Sequence, residues 1–174
     1  MMKRSRIFLL LSACLLAVLS ISCITEVEKG ASLGVGDSLP EFSVETSDGA
    51  VVSNVSLMGN VSVIMFFHTG CPDCQQALPV MQLAYDEYAP LGVGFICISR
   101  EEGADEVAPY WERFGYTLPY SAQSDRHIYS LFATSIVPRI YISDAEGVIR
   151  HVYTDDPVPT YDELSEKLLA MLAE

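Results

Sequence analysis

Cys71 and Cys74 stand two residues apart in Cys71-Pro72-Asp73-Cys74, and this pair is the part of the 174-residue chain best equipped for chemistry. Two thiols at that spacing lie within reach of a shared disulfide, so the pair can take up or release two electrons. Val61 to Phe67, just before it, is a nearly continuous apolar run with β-branched residues, as expected of a strand covered on both faces. After it, Cys74, Leu78, Met81, Tyr85 and Tyr88 recur at steps of four and three, the pattern of one helical face packed on a sheet. The pair therefore sits at a strand-to-helix turn. There, unpaired backbone N–H groups and the helix dipole stabilise a thiolate on Cys71 and make it nucleophilic near neutral pH.

Pro72 suits the first helical position because it loses no needed hydrogen bond, and Cys74 is less exposed than Cys71. In this reading Cys71 attacks a disulfide and Cys74 resolves the mixed disulfide, while the reverse sequence oxidises a client. Asp73 opposes the thiolate by its charge and keeps the pair reducing. His68 and Thr69, on the turn before Cys71, join Pro72 and Asp73 as tuning candidates, although a histidine at such a place also fits plain polar surface. A structural disulfide or half of a metal site shares the Cys-x-x-Cys spacing.

Several elements must position the pair. Glu41 to Thr46 and Ala50 to Val55 read as a hairpin around Ser47-Asp48-Gly49. Pro79 should kink the helix that follows the pair. Val93 to Ser99 reads as a second buried strand, with Cys97 as core filling. Val107, Tyr110, Trp111 and Phe114 have helical spacing ended by Gly115, and Asp125 to Ala133 offers a shorter helix with Ile128, Leu131 and Phe132 inward. Arg139 to Ser143 and Val148 to Tyr153 form a strand hairpin around Asp144-Ala145-Glu146-Gly147. A last helix starts at Thr160 with a capping box to Glu163 and buries Leu164, Leu168, Met171 and Leu172. This order implies a mixed sheet with helices on both faces, preceded by a hairpin.

The chain's start has the layout of an export signal: Lys3, Arg4 and Arg6 precede an uncharged apolar run from Ile7 to Ile24. That run is also just long enough for an uncleaved anchor. Ser20-Ile21-Ser22-Cys23 resembles a bacterial lipobox, which implies cleavage before Cys23 and a diacylglyceryl group on its thiol; Leu11-Ser12-Ala13-Cys14 is an earlier alternative with a shorter apolar segment. Two or three acyl chains would hold the protein at a membrane. The division is then 1–22 signal peptide, 23–36 flexible tether and 37–174 folded domain. Of ten Lys and Arg, three precede the apolar run, leaving seven against 23 Asp and Glu, a net charge of −16. Nucleic acid is not a partner expected of such a surface. Of five cysteines, at 14, 23, 71, 74 and 97, only one adjacent pair lies beyond the signal, which argues against a multi-disulfide scaffold.

Val35-Gly36-Asp37-Ser38-Leu39-Pro40-Glu41-Phe42, followed by Asp48-Gly49, looks like a Gly-x-x-Ala-Pro-x-Phe entry. Phe66-Phe67-His68-Thr69-Gly70-Cys71-Pro72-Asp73-Cys74 matches Phe-Trp-Ala-Thr-Trp-Cys-Pro-Pro-Cys, Pro79 matches a helix proline five residues after the second cysteine, and Ile136-Val137-Pro138 matches a Gly-Val-Pro loop. On these residues the chain, from Gly36 to about Leu172, resembles the thioredoxin superfamily and more narrowly the exported disulfide reductases of the TlpA and ResA type. The resemblance implies an α/β thioredoxin-like fold, a central mixed β-sheet flanked by helices on both faces with an N-terminal β-hairpin extension. It implies a cis peptide before Pro138 facing Cys71, and a Val137 backbone that pairs with an extended substrate. No cofactor is implied beyond the redox-active Cys71–Cys74 disulfide, and no metal. The implied partners are exported proteins with oxidised or reduced cysteines, including apocytochromes in cytochrome c maturation or copper-site proteins, and an antioxidant activity fits the same chemistry. A membrane electron donor of the DsbD or CcdA type would supply reducing equivalents in the bacterial cell envelope, facing the periplasm. Phe67, His68 and Gly70 depart from the family's Trp, Ala and Trp, and Met65 and Ala77 stand where its buried acids would be. The base that deprotonates Cys74 must then be water, His68 or a carboxylate from elsewhere.

Three alternatives stay open. Cys-Pro-Asp also looks like the Sco-type copper chaperones, with Cys71, Cys74 and a histidine such as His127 or His151 as ligands, although those cysteines are spaced C-x-x-x-C. A peroxiredoxin shares the superfamily, but its Pro-x-x-x-Thr-x-x-Cys is missing. The third is a binding module with an inert disulfide.

Overall fold

The computed structural model describes residues 32–173; the signal segment, Cys14, Cys23 and most of the tether lie outside the described residues. Two strands, β1 (Ser43–Glu45) and β2 (Val51–Ser53), pair antiparallel as a small separate sheet, and helix α1 (Asn54–Leu57) follows directly. The second arm of this hairpin is thus shorter than its apolar pattern suggests: Ser53 caps α1 in a capping box with Ser56, which ends the strand before Val55.

The main sheet has the order β5-β4-β3-β6-β7, with β3 (Ser62–Phe67) at its centre. β3 runs parallel to β4 (Gly94–Ser99) and antiparallel to β6 (Arg139–Ser143). β5 (Tyr120–Ser121) pairs parallel on β4, and β7 (Ile149–Tyr153) pairs antiparallel on β6. Every residue of β3 is buried, as its unbroken apolar run requires. β5 has only two residues and leaves no periodicity to read from sequence.

Side chains alternate across β3, so Phe66 and Phe67 point to opposite faces. Phe67 meets Trp111 of α3 (Ala104–Phe114), on the face where Tyr85 of α2 (Pro72–Tyr88) packs edge-on against Phe95. A 3₁₀ turn (Ala89–Leu91) ends α2, and α5 (Tyr161–Leu172) packs beside it, with the Tyr88 and Ser165 hydroxyls 2.5 Å apart. Phe66 meets Tyr129 and Phe132 of α4 (His127–Phe132), and Phe132 in turn meets Phe42 ahead of the hairpin. Helices therefore cover both faces, and the last one begins at the expected Thr160–Glu163 capping box.

Four inward assignments change. Leu131 is 37% and Phe114 50% exposed, while Tyr129, one helical step from Phe132, is fully buried in Leu131's stead. Leu172 is exposed at the frayed end of α5, and Tyr85 is only partly buried because the smaller Ala77 and Ala84 lie deepest under α2. The domain also starts earlier than Asp37: Leu33 is buried and its N–H donates to the Phe132 carbonyl at 2.8 Å. A single leucine among glycines gives no periodicity, so the sequence reads as tether. Among the described residues no helix is long and apolar enough to cross a membrane.

Candidate active site

β3 ends at Phe67, and the chain turns through His68, Thr69 and Gly70 into α2. Cys71 is the N-cap of that helix, with extended backbone, and Pro72 fills the first position. The Cys71 sulfur accepts the Cys74 N–H at 3.4 Å, so one of the helix's unpaired donors points at it. Cys71 is half-buried, whereas Cys74 is fully buried one turn in. Burial pushes the Cys74 thiol up, against the His68 backbone N–H, with Cys71 and the Asp73 charge adding to the rise. The two sulfurs thus differ: one is reachable and the other is shielded.

The loop before β6 faces them. The Val137–Pro138 peptide is cis, and the Cys71 thiol donates to the Val137 carbonyl at 3.3 Å. Cys71, Pro72, His68, Gly70, Arg100, Ile136 and Val137 line an open cleft of about 420 Å³. Cys71 and the proline loop are 66 positions apart in sequence and meet only through the β3–β6 pairing.

Met65 and Ala77 are fully buried, so nothing acidic occupies those two positions under the pair. A carboxylate arrives from the end of β4 instead. Glu102, only 8% exposed, accepts the Thr69 N–H at 2.6 Å and the Thr69 hydroxyl at 2.5 Å. Sequence reading left a carboxylate from elsewhere open but did not single out Glu102. The signal was there: β3 and β4 are adjacent parallel strands, and acids just past one C-terminal end fall beside the loop past the other. Thr69, grouped with the tuning residues, is what Glu102 holds. His68 Nδ1 accepts the Gly70 N–H at 3.0 Å and lies 3.4 Å from Glu102. A neutral ring keeps the first contact, and a protonated ring would turn its Nδ1–H to the carboxylate. A Cβ on Gly70 would sit 3.3 Å from that ring, so glycine here makes room for the histidine. Tyr110, from α3, has its phenol pushed up, mainly by burial.

The other histidines are elsewhere. His127 lines a groove with Phe42, Asn54 and Leu131, and His151 lies by Lys167; neither lines the Cys71 cleft. Among the described residues no group of three or more His, Cys, Asp or Glu is arranged to hold a metal ion, so His68 does not complete a ligand set with the two cysteines. Cys97 is fully buried within β4, and burial pushes its thiol up.

A dithiol at a helix N-terminus, opposed by a cis-proline loop across a mixed sheet, makes this a thioredoxin-like thiol-disulfide oxidoreductase. The chain belongs to the AhpC/TSA family, which residues 35–152 match. It is similar to the thiol-disulfide oxidoreductase ResA of Geobacillus thermodenitrificans, 24% identical over 154 residues that cover 88% of this chain and 87% of that protein. Its fold is similar to a thioredoxin-family thiol:disulfide interchange protein of Chlorobium tepidum, with TM-score 0.69 and 23% identity over 81% of this chain and 99% of the other. It is also similar to a secreted Mycobacterium tuberculosis disulfide oxidoreductase homologous to DsbE, with TM-score 0.65 and 21% identity over 75% of this chain and 96% of that one.

Proposed function

We propose that the protein reduces disulfides of exported proteins, with Cys71 as nucleophile and Cys74 as resolving thiol. The observation that carries this is the asymmetry of the pair: a half-buried Cys71 sulfur at the helix N-terminus beside the Val137 carbonyl, above a fully buried Cys74. In the first step the Cys71 thiolate attacks a client sulfur, a mixed disulfide forms and one client thiolate leaves. Cys74 then loses its proton and attacks the Cys71 sulfur; the second client thiolate leaves, the client is reduced and the pair is oxidised. Glu102 is the proton acceptor in this reading, since it is the buried carboxylate tied to the turn that carries Cys71. Pro138 and the Val137 backbone receive the client as an extended strand, and Pro72, Asp73, His68 and Thr69 tune the pair.

The export signal over 1–22 and lipid on Cys23 place the protein at a bacterial membrane, facing the periplasm. Ser32 accepts the Thr134 N–H and Leu33 donates to Phe132, so the tether joins the domain beside the loop that leads to Pro138. Eight residues lie between Cys23 and Ser32, a reach of at most about 32 Å when extended. A membrane-embedded thiol donor of the DsbD or CcdA type is then close enough to re-reduce Cys71, and apocytochromes or copper-site proteins are the client classes. Cys74→Ser tests the reading: it should accumulate a Cys71 mixed disulfide with its client, separable on a non-reducing gel and released by dithiothreitol. An unmodified Cys71 in that variant, with no insulin reduction by the unaltered protein, would remove the proposal.

A further inference from the structure

Ile136 is the one non-glycine residue among those described with a positive φ, 74°. A β-branched side chain in that region clashes with its own backbone, and glycine would adopt it freely. Two buried side chains, Tyr129 and Arg139, bond this loop directly, and Tyr141 holds the end of the helix before it. The Tyr129 hydroxyl donates to the Ile136 carbonyl at 2.8 Å, the Tyr141 hydroxyl to Phe132 at 3.0 Å, and Arg139 Nη2 to the Ser135 carbonyl at 3.3 Å. Such strain persists only where the surroundings over-determine it, and it concentrates at sites that bind or react.

The Ile136 side chain gains little burial in exchange for the strained backbone. It is 42% exposed and lines the cleft that also holds Cys71, Pro72 and Val137. The clamp that sets the Val137 carbonyl against the Cys71 sulfur therefore also turns an apolar side chain outward, one residue before that carbonyl.

We infer that Ile136 is a specificity-determining residue: it gives the client an apolar ledge, and the preferred substrates are disulfides with a large apolar residue beside the attacked cysteine. A client side chain set on that ledge supplies the contact that the folded protein alone leaves unmade. The inference rests on disulfide exchange at Cys71 and names the substrate class for it.

The test uses the reduced protein and two disulfide-bonded peptides that differ only in Leu or Ser beside the cysteine, with 2-hydroxyethyl disulfide as a control. The unaltered protein should prefer the Leu peptide by about tenfold in kcat/KM. Ile136→Gly should bring that ratio to about one through KM, with each peptide rate read relative to the hydroxyethyl disulfide rate of the same variant, and Ile136→Leu should restore it. Should Ile136→Gly fold poorly, Ile136→Asn, polar and tolerant of the left-handed region, should lose the preference in the same way. A Leu-to-Ser ratio in Ile136→Gly and Ile136→Asn equal to that of the unaltered protein, or no preference in the unaltered protein, overturns the inference. Failure of the unaltered protein to reduce any of the three disulfides overturns the oxidoreductase reading instead.

Discussion

At the Ser62, Gly94 and Ser143 end of the central sheet, polar side chains close their own turns, whereas at the Phe67, Ser99 and Arg139 end they tie distant segments together. Asp144 accepts the N–H groups of Glu146 and Val148 and the Nε–H of Arg150, two, four and six residues on. At the opposite end, Glu102 reaches 33 positions back to Thr69, and Cys71 reaches 66 positions on to Val137. Tyr129 and Arg139 fasten the loop between them. A turn that satisfies itself can form before the rest of the fold. A redox end assembled from three loops exists only once the sheet is paired, and its chemistry depends on every tie.

The sharpest break of that contrast compares Glu102→Gln with Asp144→Ala. The first should slow release of the mixed disulfide about a hundredfold near neutral pH, the usual scale for a lost general base, while Cys71 still attacks. Quenched time courses of the mixed disulfide read the two steps separately. Asp144→Ala should cost about 1–2 kcal/mol in a denaturant titration, the scale of unmet turn hydrogen bonds, with turnover unchanged. Equal losses of turnover in both would erase the distinction between the two ends.

Stability against pH separates the buried thiols from the rest. Burial pushes both Cys74 and Cys97 up, so the folded protein keeps protons that unfolded cysteines lose above about pH 8.5. Their contribution is complete below that pH and is lost as pH rises beyond it, by up to about 1.4 kcal/mol per unit for each thiol. Denaturant midpoints of the reduced protein should fall from about pH 8.5 upward. Oxidising Cys71 and Cys74 to the disulfide should remove the share of Cys74 and leave that of Cys97, and a slope untouched by oxidation would break the assignment.

What the sequence disclosed follows the same division. Cys71-Pro72-Asp73-Cys74 could be placed at a helix start because an apolar run before it and an i, i+4 face after it are local patterns, and the Thr160–Glu163 capping box is as local. The sheet and its helical cover were legible for that reason. The clamp on Ile136 was not: Tyr129 and Arg139 read as core or strand residues, and only the folded chain shows that both bond one loop. Glu102 was obscured by lying in an acidic pair in which only one member turns inward. β5, two residues long, and the docking of Leu33 carry no pattern at all.

The smallest effect should come from Asp73, which is local to the pair and ties nothing distant. Its carboxylate lies in the first turn of α2, where the helix dipole favours it, but that gain is shared by the oxidised and reduced forms and does not move the potential. What differs between them is negative charge on sulfur, present only in the dithiol form and repelled by Asp73. Removing the repulsion stabilises the reduced form, so Asp73→Asn should raise the reduction potential. The side chain is half-exposed and water screens it, so the rise should be modest, about 10–30 mV on equilibration with a glutathione or dithiothreitol buffer. A lower potential in Asp73→Asn would mean that its charge acts mainly on something other than the thiolate. A shift well beyond that range would mean that Asp73, like Glu102, reaches past its own turn.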